Sequence, residues 1–188
     1  MEFANLYDQG FVRVAACTLP ITLVQPEKNA DAIAAIVSEC GREGVVLAVF
    51  PELCLTGYSI EDLLLNDAVL AAAEAAVGRL AEATRDTDVV VVVGAPLRSL
   101  HRVYNCAVVL HRGQVLGVVP KSYLPTYREF YEARQIAAGD DVTGEVSIAG
   151  HDAPFGPDLL FSASDVPGFV LNVEICEDMW VPIPPSAE

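Results

Sequence analysis

Two stretches of this sequence, VVLAVF at 45–50 and VVVVVGAPL at 89–97, hold no polar side chain at all. A strand with one wet face alternates apolar and polar residues, whereas an unbroken apolar run is buried on both faces. The segments between such runs read as helices. In KNADAIAAIVSECGR, residues 28–42, Ile33, Ile36, Val37 and Cys40 fall on one helical face, and Gly44 ends the segment. EDLLLNDAVLAAAEAAVGRLAEATRD, residues 61–86, is the longest helical stretch, with acids at its start as the helix dipole favours. FVRVAACTL near the start reads as a further strand, and VYNCAVVLHRGQVLGVVPK as a hairpin turning at Arg112 and Gly113. GPDLLFSAS and GFVLNVEIC complete the set as short strands. The order implies an α/β fold: a sheet with helices packed on a face and an antiparallel portion at the hairpin.

Charge and cysteine content exclude several functions. With 11 Lys and Arg against 26 Asp and Glu, the formal net charge of −15 opposes a phosphate-binding surface, so no nucleic-acid partner is expected. No apolar run reaches the ~18–20 residues of a membrane span. The opening residues MEFANLYDQGFVRV lack the basic-then-apolar pattern of a signal peptide. Five cysteines without a C-x-x-C pair suit reduced thiols, and hence a cytoplasmic setting. His101, His111 and His151 show no ligand spacing, so no metal site is expected. No P-loop or other phosphate-cradling glycine cluster is present.

Three places offer chemistry, each following an apolar run. Glu52 in AVFPELCLTGYS leaves one strand, where open α/β sheets place ligands; alone, it reads as a solvated loop glutamate. Lys121 leaves another, ahead of a loop carrying Tyr123, Tyr127, Phe130 and Tyr131, with Glu129 and Glu132 nearby. That loop suits a pocket wall, and equally a surface lysine over packed aromatics. Cys176 ends GFVLNVEIC at a turn that begins with Glu177 and Asp178. A buried, inert thiol is the commoner fate of such a cysteine. A nucleophile at a sharp strand-to-turn junction is, however, exposed, and the backbone N–H groups after it can face a developing oxyanion. Acidic neighbours raise a thiol pKa, and no histidine is placed to pair with it, so a carboxylate would have to take the proton. If the three strands run parallel, Glu52, Lys121 and Cys176 converge as base, cation and nucleophile.

The Glu of FPELCLTGYS, the Lys of PKSYLPTYREFYE and the Cys of NVEICEDMW resemble the three signatures of the nitrilase, or carbon–nitrogen hydrolase, superfamily. YSIEDLLL, VVGAPLR, YNCAVVLHRG, VPKSYLPTYREFYE and EICEDMWVPIPPS are more similar still to the amino-terminal glutaminase domains of glutamine-dependent NAD+ synthetases. The resemblance implies an αββα sandwich and amide hydrolysis by a Glu–Lys–Cys triad. Cys176 would form a γ-glutamyl thioester, Glu52 would be the base, and Lys121 would assist at the oxyanion with the Glu177 N–H. Tyr127 and Tyr58 would line the glutamine site. Glu132, in preference to Glu129, would be the second glutamate beyond the lysine. L-glutamine and a synthetase domain are the implied partners, with a homo-oligomer expected. The amidase half needs no cofactor, since ATP and Mg would belong to the synthetase domain. Two alternatives remain: a free-standing hydrolase of another small amide, and a catalytically silent fragment acting only in assembly.

Ser186, after a Pro pair, reads as a helix N-cap, so a helix is expected to start where the sequence stops. Residues 1–188 are therefore expected to be a partial glutaminase domain, incomplete at its C-terminus, without the synthetase domain.

Overall fold

The computed structural model describes residues 7–187. Nine strands are present among them: β1 (Val14–Ala16), β2 (Leu47–Val49), β3 (Val90–Ser99), β4 (Arg102–His111), β5 (Gln114–Pro120), β6 (Gly144–Ile148), β7 (His151–Phe155), β8 (Phe161–Ser162) and β9 (Val170–Leu171). Two α-helices accompany them, α1 (Pro26–Arg42) and α2 (Asp67–Ala83). The first seven strands form one sheet in the order β1-β2-β3-β4-β5-β7-β6, while β8 and β9 pair separately.

β1, β2 and β3 are parallel, β4 is antiparallel to both β3 and β5, and β7 runs parallel to β5. β2 and β5 consequently point the same way, and the segments leaving them emerge at the same end of the sheet. The β4–β5 hairpin turns at Arg112 and Gly113, both at positive φ, as a two-residue hairpin turn requires.

Helix α1 starts with Pro26, whose missing N–H would be unpaired there in any case, and Gly44 follows its end at φ 67°. It buries Ala30, Ile33, Val37 and Cys40 at helical spacing, with Ile36 partly covered. Each fully buried Ile or Val stabilises the packing by about 1.5–3 kcal/mol. The long helical stretch from residue 61 is broken in two. Glu61–Leu65 is a 3-10 turn, and Asn66 takes an extended conformation and accepts from the Ala68 N–H to cap α2. Asn competes for backbone donors, and here the cap prevails over continuous periodicity.

Alternation along the strands sorts side chains onto two faces. Val91, Val93, Ala95, Tyr104, Cys106, Val108 and Leu110 share one apolar cluster with the buried residues of α1 and α2. Leu47, Val92, Ala107, Val109 and Val119 form a second cluster on the other face, closed by Ile175 and packed against Leu159, Phe161, Phe169, Leu171 and Val173. The cover on this second face is partial. Val49 is 39 % exposed, so the 45–50 run is not buried throughout, as its composition predicts.

Three further expectations change. The β6–β7 hairpin, turning at Ala149 and Gly150 with both at positive φ, is not foreseen by the sequence reading. GFVLNVEIC contributes only Val170–Leu171 as strand, outside the main sheet. Ser186 lies inside a 3-10 turn, Pro185–Ala187, and its N–H donates to Glu174 Oε1 at 2.9 Å, so it does not act as an N-cap. Among the described residues, no helix is long and apolar enough to cross a membrane.

Candidate active site

Lys121 directly follows β5 and takes its place two residues beyond Val119, which puts its side chain on the second face. The side chain is fully buried, and Nζ donates to Glu52 Oε1 at 2.7 Å and to Glu132 Oε1 at 2.8 Å. Burial by itself would lower the lysine pKa, but the two carboxylates outweigh it and hold Lys121 above its ordinary value. Lys121 is therefore a cation at neutral pH. Glu132 is pushed above its ordinary value by burial, against the opposing pull of Lys121 and Tyr58.

Glu52 sits in the turn leaving β2. That turn lies directly on β3 at Gly94: a Cβ there would stand 2.2 Å from the Leu53 N and 2.6 Å from the Pro51 O. Only glycine permits this approach, and Leu53 completes the turn at φ 49°. Gly94→Ala is expected to displace the Glu52 turn, with a lowered melting temperature and at least a tenfold loss of any turnover that uses Glu52. Thermal melts beside an activity assay check this.

Cys176 comes to the site by a route other than a parallel strand. The extended segment through Val173 and Ile175 packs on the second face, and Cys176 follows at φ 49° as the first residue of a 3-10 turn, Cys176–Trp180. A non-glycine residue in this conformation costs on the order of 1–3 kcal/mol, and such strain concentrates at functional positions. The thiol is exposed, whereas Cys40, Cys54 and Cys106 are buried. Partial burial and then the Glu52 charge push the thiol pKa up, with Lys121 opposing, so the thiol is protonated at neutral pH. These couplings place Glu52, Lys121, Glu132 and Glu177 in electrostatic reach of Cys176.

The remaining candidates gather around these three. The Tyr58 hydroxyl donates to Glu132 Oε1 at 2.8 Å, and the Tyr127 hydroxyl donates to Glu177 Oε2 at 2.9 Å. Phe130 packs edge-on against both tyrosine rings, with centroids 6.4 Å apart in each case. Tyr58, Phe130 and Tyr127 thus form an aromatic wall beside Cys176. Glu132 is the glutamate at Lys121, and Glu129 is exposed. Tyr131 turns away and donates to Glu61 Oε2 at 2.5 Å. Two broad surface grooves, one along Leu23, Ile60 and Leu63 and another beside Arg98, Arg102 and Arg134, include none of Glu52, Lys121 or Cys176.

Two residues of this constellation escape the sequence reading. Asn105 Nδ2 donates to Glu52 Oε1 at 2.6 Å. Asp178, 1 % exposed, accepts from the N–H groups of Ser122 and Tyr123 through Oδ1 and from Ile175 through Oδ2. It ties the residues after Lys121 to the residue before Cys176. Burial raises its carboxyl pKa, while the three N–H donors pull it down. Asp178→Asn puts an amide donor among those N–H groups, with an expected cost of about 1–3 kcal/mol and a displaced Cys176 turn. Chemical denaturation and the alkylation rate of Cys176 check both parts. A signal for Asn105 was available: it shares a strand face with Ala107 and Val109, and a lone amide in such a row needs a partner.

A buried lysine between two carboxylates, beside an exposed thiol on a strained turn, has the parts for nucleophilic attack on a carbonyl carbon. The chain belongs to the carbon–nitrogen hydrolase family, whose model matches residues 13–184. Over all 188 residues it is 59 % identical to a glutamine-dependent NAD(+) synthetase of Mycobacterium leprae and 61 % identical to one of Mycobacterium tuberculosis. The chain spans 28 % of the length of each of those relatives. The crystal structure of a glutamine-dependent NAD(+) synthetase from Cytophaga hutchinsonii matches with TM-score 0.72 and 30 % identity, over 81 % of this chain and 26 % of that one. An amidase of the nitrilase superfamily from Nesterenkonia matches with TM-score 0.61 and 22 % identity, over 76 % of this chain and 54 % of that one. That last likeness concerns the fold alone: the mixed α/β architecture here is of the nitrilase type.

Proposed function

We propose that this chain is the glutamine amidohydrolase part of a glutamine-dependent NAD+ synthetase. It would release ammonia from L-glutamine for the amidation of deamido-NAD+ by a synthetase region. The observation that carries the proposal is the full-length identity of about 60 % to proteins of that name, over a segment that contains the whole Glu52–Lys121–Cys176 constellation.

In this reading Cys176 Sγ attacks the side-chain amide carbon of glutamine as Glu52 takes the thiol proton. The raised thiol pKa supports transfer during attack over a preformed thiolate. The carbonyl π electrons move onto oxygen, where the Lys121 ammonium and the Glu177 N–H stabilise them. When the tetrahedral centre collapses, the C–N bond breaks and Glu52 returns the proton to the leaving nitrogen, releasing ammonia. Water then adds to the γ-glutamyl thioester, Glu52 accepts its proton, and glutamate leaves as the thiol reforms. Glu132 is the second carboxylate that holds Lys121, and Tyr58 steadies Glu132. Tyr127 and Tyr58 line the glutamine site, with Glu177 fixing the Tyr127 hydroxyl. The synthetase region, a homo-oligomer and a cytoplasmic setting belong to the same proposal.

The test is ammonia release from L-glutamine, with asparagine and simple aliphatic amides as competitors. Turnover specific to glutamine supports the reading. Preference for a simple amide would move the chain to another branch of the family.

A further inference from the structure

Asn105 is 1 % exposed near the middle of β4, on the strand face shared with Ala107 and Val109. Its backbone carbonyl accepts from the Lys121 N–H at 2.8 Å, and its side chain reaches Glu52. A carboxylate only accepts, so the amide nitrogen must face it. Lys121 Nζ donates to the same Glu52 oxygen, Oε1. Oε2 receives neither of these bonds. The amide comes at a cost, because Asn105 Oδ1 is buried without a partner among the described residues. For stability alone, an apolar side chain would serve better at this point of the strand.

We propose that Asn105 is a positioning residue that pins Glu52 Oε1 and so keeps Oε2 as the oxygen that takes the Cys176 proton. A glutamate held by Lys121 alone is free to rotate and turn both oxygens toward the ammonium, which leaves neither aimed at the thiol. Two donors converging on Oε1 prevent that rotation.

The inference rests on Glu52 acting as the base, and the experiment separates the two. Asn105→Leu, Asn105→Ser, Glu52→Gln and the Glu52→Gln/Asn105→Leu pair are compared in the rate of Cys176 alkylation by iodoacetamide, with melting temperature and glutamine turnover. Asn105→Leu and Asn105→Ser are both expected to slow Cys176 alkylation by about five- to tenfold. The kcat for glutamine should fall about ten- to a hundredfold with KM little changed. Asn105→Leu should melt no lower than the wild type, and the double variant should behave as Glu52→Gln alone. An alkylation rate unchanged in both Asn105 variants, but lost in Glu52→Gln, overturns the role of Asn105 while Glu52 stands as base. A wild-type alkylation rate in Glu52→Gln overturns both. Failure of both Asn105 variants to fold assigns the residue to the sheet and also overturns the proposal.

Discussion

Replacing Cys176 by Ala is expected to abolish glutamine hydrolysis, leaving ammonia release at background. The thiol is the nucleophile of the proposed route, and its removal leaves no atom on which a thioester can form. The change should cost little stability. Cys176 is exposed, and alanine keeps the Cβ that the turn at φ 49° already accommodates. Surface changes of this kind fall within about 0.5 kcal/mol. Where a synthetase region accompanies the chain, ammonia supplied from solution bypasses the thioester. NAD+ formation from ammonia should then persist while formation from glutamine stops. Parallel assays with the two nitrogen sources check the separation, and equal loss of both would remove Cys176 from the amidase step.

The second large effect belongs to Lys121 and Glu52. Lys121→Met and Glu52→Gln are each expected to lower glutamine turnover by about 10² or more, since an oxyanion-stabilising group is worth ~10²–10³ and a positioned base ~10²–10⁴. Breaking a buried ion pair commonly costs about 3–5 kcal/mol, because one charge is left uncompensated. Here that penalty has two outlets. Glu132 already has a raised pKa and can take up a proton, and the Glu52 side chain is 20 % exposed and keeps its bond from Asn105. The expected signature of Lys121→Met is therefore a lost rate with a folded chain. Its stability should fall as pH rises through the raised Glu132 pKa, because the glutamate must then ionise without its lysine. Circular dichroism melts at two pH values beside the ammonia assay resolve the two effects. Near-wild-type turnover in either variant would take that residue out of the site.

Much of this arrangement is legible from residue order alone. The apolar runs at 45–50 and 89–97 identify strands, which the structure pairs in parallel, and the residues after β2 and β5 mark where Glu52 and Lys121 emerge. Cys176 is legible as an exposed residue at a turn, but not by its route. Its strand shrinks to two residues paired with β8, and Ile175 docks on the second face by long-range packing that local pattern does not encode. The β6–β7 hairpin hides because β6, Gly144–Ile148, is an edge strand that needs little apolar content, and β7 carries His151, Asp152 and Pro154, which read against a strand. Asn105 and Asp178 escape for another reason. Each is defined by partners more than 50 residues away in sequence, Glu52 for one and Ser122 and Tyr123 for the other. Glu132 could be set apart from Glu129 only by resemblance, and burial beside Lys121 gives the physical ground for the choice.

In the proposed reaction Cys176, served by Glu52 and Lys121, attacks the side-chain carbonyl carbon of glutamine. The most direct measurement is mass spectrometry of the chain after incubation with a glutamine analogue that carries a diazoketone in place of the amide. A single adduct on the peptide containing Cys176 is expected, with protection by excess L-glutamine and loss of labelling in Lys121→Met and Glu52→Gln. An unlabelled Cys176, or equal labelling of Cys17 or any other cysteine without protection by glutamine, would contradict it.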